Sequence, residues 1–503
     1  MRAGRQKFRV TTILSVGLTA FLSGLVGSHY IGLTLDWRIG AFLLIIAILV
    51  RFKNKLSLLS IVIIGGFFGL LRGAQFRQTI MPYKQLTGKV IKIRASVVSD
   101  AVYADKGQLE FDVSNIQIIT PINSKLPGTI GIRGYGESMI YRGDSVIISA
   151  KLYSARGSRQ GRMSFARISR LHNSGSYIDR IRRRYSAGLL SAIPEPHGSL
   201  GLGILIGQRT TLPDWLNDSM SIVGLTHIVA VSGYNLTIMV RMAQRLTRKR
   251  SKYQATITML LFIFCFIGIT GSSASIVRAG IVSLLSIWAW YYGRTFRPHL
   301  IILLSASMTA GWFPAYLWSD LGWHLSFLAF IGVLLLAPIF TLRFFKTKPK
   351  IYAQLFIETV SAQILTLPII LYSFGRFSSV ALLANLLVVP IVPIAMLLSF
   401  VAGLAGVLSL SVVGWLSWPA VAILRYMIDC VVFLAKVPGA SSVVYLSFWQ
   451  VVVGYLVVVF LMVVWWRKTS KNGKIKDIYC KPLTEPVVSS GSVTIRKERY
   501  ERT

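Results

Sequence analysis

The chain has 503 residues, 53% of them hydrophobic and 15% charged, and its 55 Lys and Arg outnumber 18 Asp and Glu to give a formal net charge of +37. Apolar runs approaching the roughly 20 residues that cross a bilayer exclude an ordinary soluble domain. Cys265 and Cys430 stand in apolar stretches and Cys480 in a basic tail, which excludes a disulfide framework and a metal-spaced thiol pair.

The basic start MRAGRQKFR runs into an apolar segment over residues 11–33, and further apolar segments at 39–50 and 56–71 follow almost at once. With no small-residue cleavage site between them, the first segment reads as a retained span rather than a signal peptide. Residues 1–71 are therefore expected to form N-terminal membrane spans. Over residues 84–172 the period changes to strand alternation: KVIKIRASVV, QLEFDVSNIQII, TIGIRGYG, DSVIISAKLY and RMSFARISRL, separated by Gly, Asp and Pro-Gly turn signals. Five short strands predict a small barrel of the OB type.

Residues 176–193 place Ile178, Ile181, Tyr185 and Leu189 at helical spacing, with Arg180, Arg182, Arg183 and Arg184 over much of the remaining surface. That pattern predicts an amphipathic helix at the membrane interface. The stretch GLGILIG that follows is too short to span and reads as re-entrant. Roughly nine more spans fit between residues 222 and 464 at about 20 residues each. They make residues 197–466 a membrane channel domain and residues 467–503 a basic cytoplasmic tail. The expected fold class is a polytopic α-helical membrane protein of about a dozen spans with an inserted extracytoplasmic all-β OB-like domain. Basic clusters at residues 2–9, 51–55, 248–252, 294–297, 343–350 and 467–474 then all fall on one side, as the positive-inside rule requires. Both termini are thereby cytoplasmic and the strand domain is outside the cytoplasmic (inner) membrane.

The strand domain carries fourteen Lys and Arg against six Asp and Glu, a net +8 that attracts phosphate backbones. Alternation puts Lys92 and Arg94 on one face of the first strand, Arg133 and Tyr135 on one face of the third, and Lys151 and Tyr153 on one face of the fourth. Cations beside aromatic rings suit single strands, whose phosphates meet the charges while bases stack on the rings. Glu110 and Asp112 point together from the second strand and oppose DNA there. Packing against anionic lipid headgroups is the alternative use of the same charges.

Four ordered blocks narrow the function: GQRTTLPDWLNDSMSIVGLTHIVAVSGYNLTIMV at 207–240, SASIVRAGIVSLLSIWAWYYGR at 273–294, DLGWHLSFLAFIGVLLL at 320–336, and SAQILTLPIILYSFGRFSSVALLANLLVVPIVP at 361–393. Together they resemble the ComEC family of DNA-uptake membrane channels. The resemblance implies an OB-like domain after the first spans and conduction of single-stranded DNA in natural transformation. Implied partners are single-stranded DNA, the lipid membrane, a DNA receptor outside, a cytoplasmic ATPase or single-strand-binding protein inside, and a separate nuclease. Related channels often carry Leu-His where this chain has Tyr234-Asn235. Many larger members end in a metallo-β-lactamase-like domain, and no HxHxDH cluster for one is present here.

Within the first block, Ser232 and Gly233 permit close backbone approach while His227 and Asn235 offer polar groups in an apolar setting. A hydrolytic reading pairs His227 with Ser232 and takes Asn235 or Asp218 as the orienting group. Arg278, Asp320, His324, Glu358, Gln363 and Asn385 are further polar groups that must turn from lipid toward protein or a wet cavity. Arg278 is the first candidate for a phosphate contact, with an ion pair to Glu358 or Asp320 as its alternative. Asp320 has the alternative role of helix cap and His324 that of a hydrogen-bonded packing residue. No GxxxxGK[ST] segment is present, so no ATPase loop is expected. The sequence reading is a channel and not an enzyme, with no cofactor and no metal site. The alternatives are an intramembrane hydrolase and an exporter of another anionic polymer.

Overall fold

The computed structural model describes residues 10–31, 55–104, 108–120, 124–136, 140–154, 159–172, 176–208, 211–229, 233–247, 249–271, 274–293, 297–345, 349–408 and 413–471. The segment expected to span at 39–50, Ser232 and the tail beyond residue 471 lie outside them.

Helices α1 (Val10–Tyr30) and α2 (Lys55–Leu86) pack along most of their length. They run parallel: a Cβ on Gly17 would lie 3.1 Å from Ile61, and one on Gly27 would lie 3.6 Å from Leu70. Small residues at this seam let the two backbones approach, the usual means of association where lipid removes the hydrophobic drive between helices. Arg72 of α2 donates to the carbonyls of Gly311 (2.8 Å) and Trp312 (3.0 Å), the open C-terminal end of helix α9 described below.

Helix α2 leads directly into a barrel of five strands, β1 (Val90–Val97), β2 (Gln108–Thr120), β3 (Ile130–Gly136), β4 (Ser145–Ser154) and β5 (Gly161–His172). β1 pairs antiparallel with β2 and β4, β2 with β3, and β4 with β5; β3 and β5 pair in parallel. The ring β1-β2-β3-β5-β4 closes on itself, which removes exposed strand edges. Two short strands, Val102–Ala104 and Ser124–Leu126, add to β2. Each strand in the sequence reading is present. The inward set includes Ile91, Ile93, Phe111, Ile118, Ile132, Ile148, Leu152 and Met163, all buried in one core.

Helix α3 (Tyr177–Ala192) begins at a capping box in which the Ser176 hydroxyl and the Asp179 carboxylate satisfy each other's backbone N–H groups. Tyr185, Gly188 and Leu189 pack inward, and the Tyr185 hydroxyl donates to the Ser399 carbonyl at 3.2 Å. The arginines do not all face a lipid surface: Arg182 and Arg183 turn to acids of the barrel, leaving Arg180 and Arg184 exposed. The ten-residue α4 (His197–Ile206) is apolar, too short to span, and buried from Gly198 to Ile206.

The remaining helices are α5 (Asp214–Ile222), α6 (Gly233–Leu246), α7 (Lys252–Thr270), α8 (Ala274–Tyr291), α9 (Pro298–Trp312), α10 (Leu321–Phe344, with a π turn at Gly332–Leu336), α11 (Ile351–Phe374), α12 (Ala381–Val407), α13 (Val413–Ala435) and α14 (Phe448–Lys471). Among the described residues eight helices are long and apolar enough to cross a membrane, against about a dozen spans read from the sequence. The difference falls on α6, which is short and amphipathic, on α8 and α9, which are apolar but short, and on the segment outside the described residues. The protein is a polytopic helical protein with a separate β domain.

Candidate functional site

The central block folds as α5, a turn at Gly224, a short helix at Thr226–Val229, and α6. Gly224 has φ +74°, in the left-handed region that suits glycine, and its carbonyl lies 3.1 Å from His227 Nδ1. His227 is exposed at its surface, yet the protein around it desolvates the imidazole and lowers its pKa against the opposing Gly224 hydrogen bond. Asn235 is buried, and its amide donates to the Ile204 carbonyl at 2.9 Å, one of the open carbonyls at the C-terminal end of α4. Thus His227 and Asn235 engage different backbone carbonyls.

Gly233 and Arg278, 45 positions apart, are brought together. A Cβ on Gly233 would stand 2.8 Å from the Ala279 Cβ and 3.1 Å from Arg278 Nη2, so the absent side chain is what admits α8 and its guanidinium. Arg278 is only 9% exposed. Its guanidinium lies over Phe330 at 5.1 Å and Phe327 at 5.6 Å, both on α10, and its Nε has no hydrogen-bond partner. One turn earlier, Ser275 Oγ meets Ser326 Oγ at 3.1 Å and ties α8 to α10.

The ion pair left open by the sequence is not formed. Glu358 accepts from Gln354 at 2.9 Å and has Arg241 of α6 as its charged neighbour. Asp320 caps α10 by accepting from the Trp323 N–H at 2.7 Å. His324 places Nδ1 at 2.7 Å from the Asp320 carbonyl and Nε2 at 3.0 Å from the Leu317 carbonyl, a packing arrangement. Asn385 bonds within its own helix, to the Ala381 carbonyl at 2.9 Å, and Gln363 is half-buried on α11. Neither shares a hydrogen bond with the Gly233–Arg278 pair.

On the barrel, Lys92, Arg94, Arg133, Tyr135, Lys151 and Tyr153 all face outward. The acids assigned to repel DNA are neutralised from within: Glu110 pairs with Arg133 at 3.2 Å and Arg159 at 3.3 Å, and Asp112 with Arg159 at 2.6 Å. Desolvation raises the Asp112 pKa, opposed by the Arg159 charge. Arg133 is therefore a compensated cation and a weaker phosphate ligand than its position in the sequence implies. Arg162, Arg167 and Phe165, which the sequence reading passed over, share the outer surface with Lys151 and Tyr153.

Ion pairs hold the barrel to the helices. Arg182 meets Asp100 at 2.7 Å, Arg142 meets Asp179 at 3.2 Å, and Asp144 accepts from Arg183 at 2.8 Å and Arg170 at 3.1 Å. A cavity of about 710 Å³ lies at this seam. Among the described residues no group of three His, Cys, Asp or Glu is placed to hold a metal ion.

The family model described as competence protein matches residues 204–468, more than half of the chain and all four sequence blocks. The chain belongs to the competence-protein family. It is also 29% identical over 225 residues to ComE operon protein 3 of Bacillus subtilis (strain 168), a match covering 44% of this chain and 28% of that relative. The aligned part thus spans under a third of the relative's length. No solved structure matches. The ComEC resemblance therefore holds over the membrane part, and the matched range includes Gly233, Arg278 and the aromatic wall that contacts Arg278.

Proposed function

We propose that this competence protein conducts single-stranded DNA across the cytoplasmic membrane during natural transformation, with the barrel outside receiving the strand. The observation that carries this reading is Arg278: a buried guanidinium with no acid partner among the described residues, inside the family-matched region. An uncompensated charge in an apolar helix bundle marks a pathway for its counter-ion. A passing phosphodiester supplies that counter-ion transiently. The strand order of the barrel, with its third and fifth strands parallel, supports an OB type, the class that binds oligonucleotides. Energy would come from a cytoplasmic motor or from strand-binding proteins, and degradation of the other strand from a separate nuclease.

The parallel sense of α1 and α2 supports an odd number of crossings before the barrel, which together with the positive-inside rule favours a barrel outside and an N-terminus inside. In a cysteine-free background, single cysteines at Ser158 and Ser251 should react differently with an impermeant maleimide on intact cells. Labelling at 158 but not at 251 is expected, and the opposite pattern reverses the topology.

The reading is tested by uptake of labelled DNA into wild-type and deletion cells, where loss of cytoplasmic label on deletion is expected. Retained uptake would remove the channel assignment. Purified protein supplied with magnesium, manganese or zinc should leave single- and double-stranded DNA intact. Cleavage abolished by His227→Ala would replace conduction with hydrolysis.

A further inference from the structure

We propose that single-stranded nucleic acid lies on the outer wall made by β1, β4 and β5, with Phe165 as its stacking platform. This deepens the reading that the barrel receives the strand by naming the face and the residues that do so. The wall follows from strand register: Lys92 sits beside Ser149, Arg94 beside Ile147, and Lys151 beside Val90 across the β1–β4 pair. Across β4–β5, Ser149 sits beside Arg167 and Tyr153 beside Arg162, whose guanidinium lies 5.8 Å from the Tyr153 ring. Tyr135 of β3 stands next to Arg167. Lys92, Arg94, Lys151, Arg162 and Arg167 thus form one cationic field interleaved with rings, the composition that binds single strands without sequence preference. The described acids of the barrel, Asp100, Glu110, Asp112 and Asp144, are instead each bound to an arginine outside this set.

Phe165 is the independent observation. Ser149 pairs with Arg167 and Lys151 with Ser164, so Phe165 and Ala166 together oppose the single residue Ala150. This is a β-bulge, and its extra residue breaks the alternation so that Ser164 and Phe165 both face out. Phe165 holds φ +55° and is 74% exposed. A bulky side chain in the left-handed region is a true outlier. Here the strained backbone presents an aromatic ring to solvent, which burial does not repay and a stacked base does.

OB barrels usually bind oligonucleotides on strands two and three and on the connections between strands one and two and four and five. In this chain Glu110 and Phe111 of β2 and residues of both those connections line the seam cavity, where Asp100, Glu110 and Asp214 balance Arg142, Arg159 and Arg182. An electroneutral lining has no long-range pull on a polyanion, whereas the β1–β4–β5 wall has no acid among its described residues to cancel its charge.

The test uses the full-length protein in nanodiscs of neutral lipid, with anisotropy of a fluorescent oligothymidylate at several salt concentrations. Replacing Lys92, Arg94, Lys151 and Arg167 together with Gln should flatten the slope of log affinity against log salt by about 2.8, at about 0.7 per phosphate contact. Phe165→Leu should weaken binding about 5- to 150-fold, the loss of one stacked base, while Phe165→Tyr retains it. Arg425→Gln, an exposed arginine on α13, should leave both readouts unchanged. An unchanged slope in the fourfold variant with full affinity in Phe165→Leu overturns the assigned face and leaves the barrel as receiver by another surface. No binding by the wild-type protein overturns the receiving role itself. Variants that lose binding to anionic vesicles and keep binding to oligothymidylate make the wall a lipid surface and overturn the proposal.

Discussion

Replacing Arg278 with alanine is expected to lower uptake of labelled DNA about 10- to 150-fold, with the protein still present in the membrane, the loss that follows from one charge-assisted hydrogen bond of about 1.5–3 kcal/mol. The guanidinium is positioned by what surrounds it. Phe327 and Phe330 lie under it, and Gly233 leaves Nη2 unobstructed. No carboxylate among the described residues competes for it, since Glu358 is engaged by Gln354 and Asp320 by the Trp323 N–H. A site of this kind conducts only if each phosphate leaves as readily as it enters, and the aromatic faces help by partly satisfying the cation between occupants. Arg278→Lys keeps the charge but loses the planar fork, so its uptake should fall between the two. Wild-type uptake in Arg278→Ala would end the pathway assignment. Loss of Arg278→Ala from the membrane would give the residue a folding role instead.

What the sequence revealed and what it withheld divide along physical lines. The strands were legible because alternation is local: Ile91, Ile93 and Ala95 go in, Lys92 and Arg94 go out, and the same pattern runs through β4. The cap at Asp320 was legible for the same reason, as its partner is three residues away. The bulge at Phe165 was hidden because strict alternation from Met163 would bury that ring, and only the inward turn of Ala166 and Ile168 shows that the phase has slipped. Arg182 and Arg183 read as lipid-facing because their acid partners, Asp100 and Asp144, lie far back in the chain. Likewise no spacing rule connects Gly233 to Arg278 or Arg72 to the end of α9. Those relations are set by helix packing, which one sequence does not encode in any local period.

The largest effect on stability is expected at Asp144. This carboxylate is 0% exposed, and it accepts from Arg183 of α3, from Arg170 of β5 and, at 3.1 Å, from the Tyr141 N–H in its own turn. Arg183 adds a bond to the Arg142 carbonyl at 2.7 Å and lies 5.3 Å from the Tyr141 ring, so barrel and helices converge on one anion. Asp144→Ala leaves two guanidinium groups facing a seam that no longer holds their counter-charge. Breaking a buried pair in this way costs about 3–5 kcal/mol. Against the roughly 5–15 kcal/mol that holds a typical domain folded, that is enough to open the barrel locally or release it from α3. Amide hydrogen exchange of the full-length protein should show protection in β4, β5 and α3 falling about 150- to 5,000-fold, as the same free energy requires if exchange proceeds by opening. Asp144→Asn, which keeps one acceptor oxygen but no charge, should lose less. The Asp100–Arg182 pair supplies the internal comparison: replacing both with Leu and Met should be milder than either single change, because no charge is left alone. Unaltered exchange in Asp144→Ala would mean that apolar packing alone, and not the ion pairs, fixes the barrel to the membrane part.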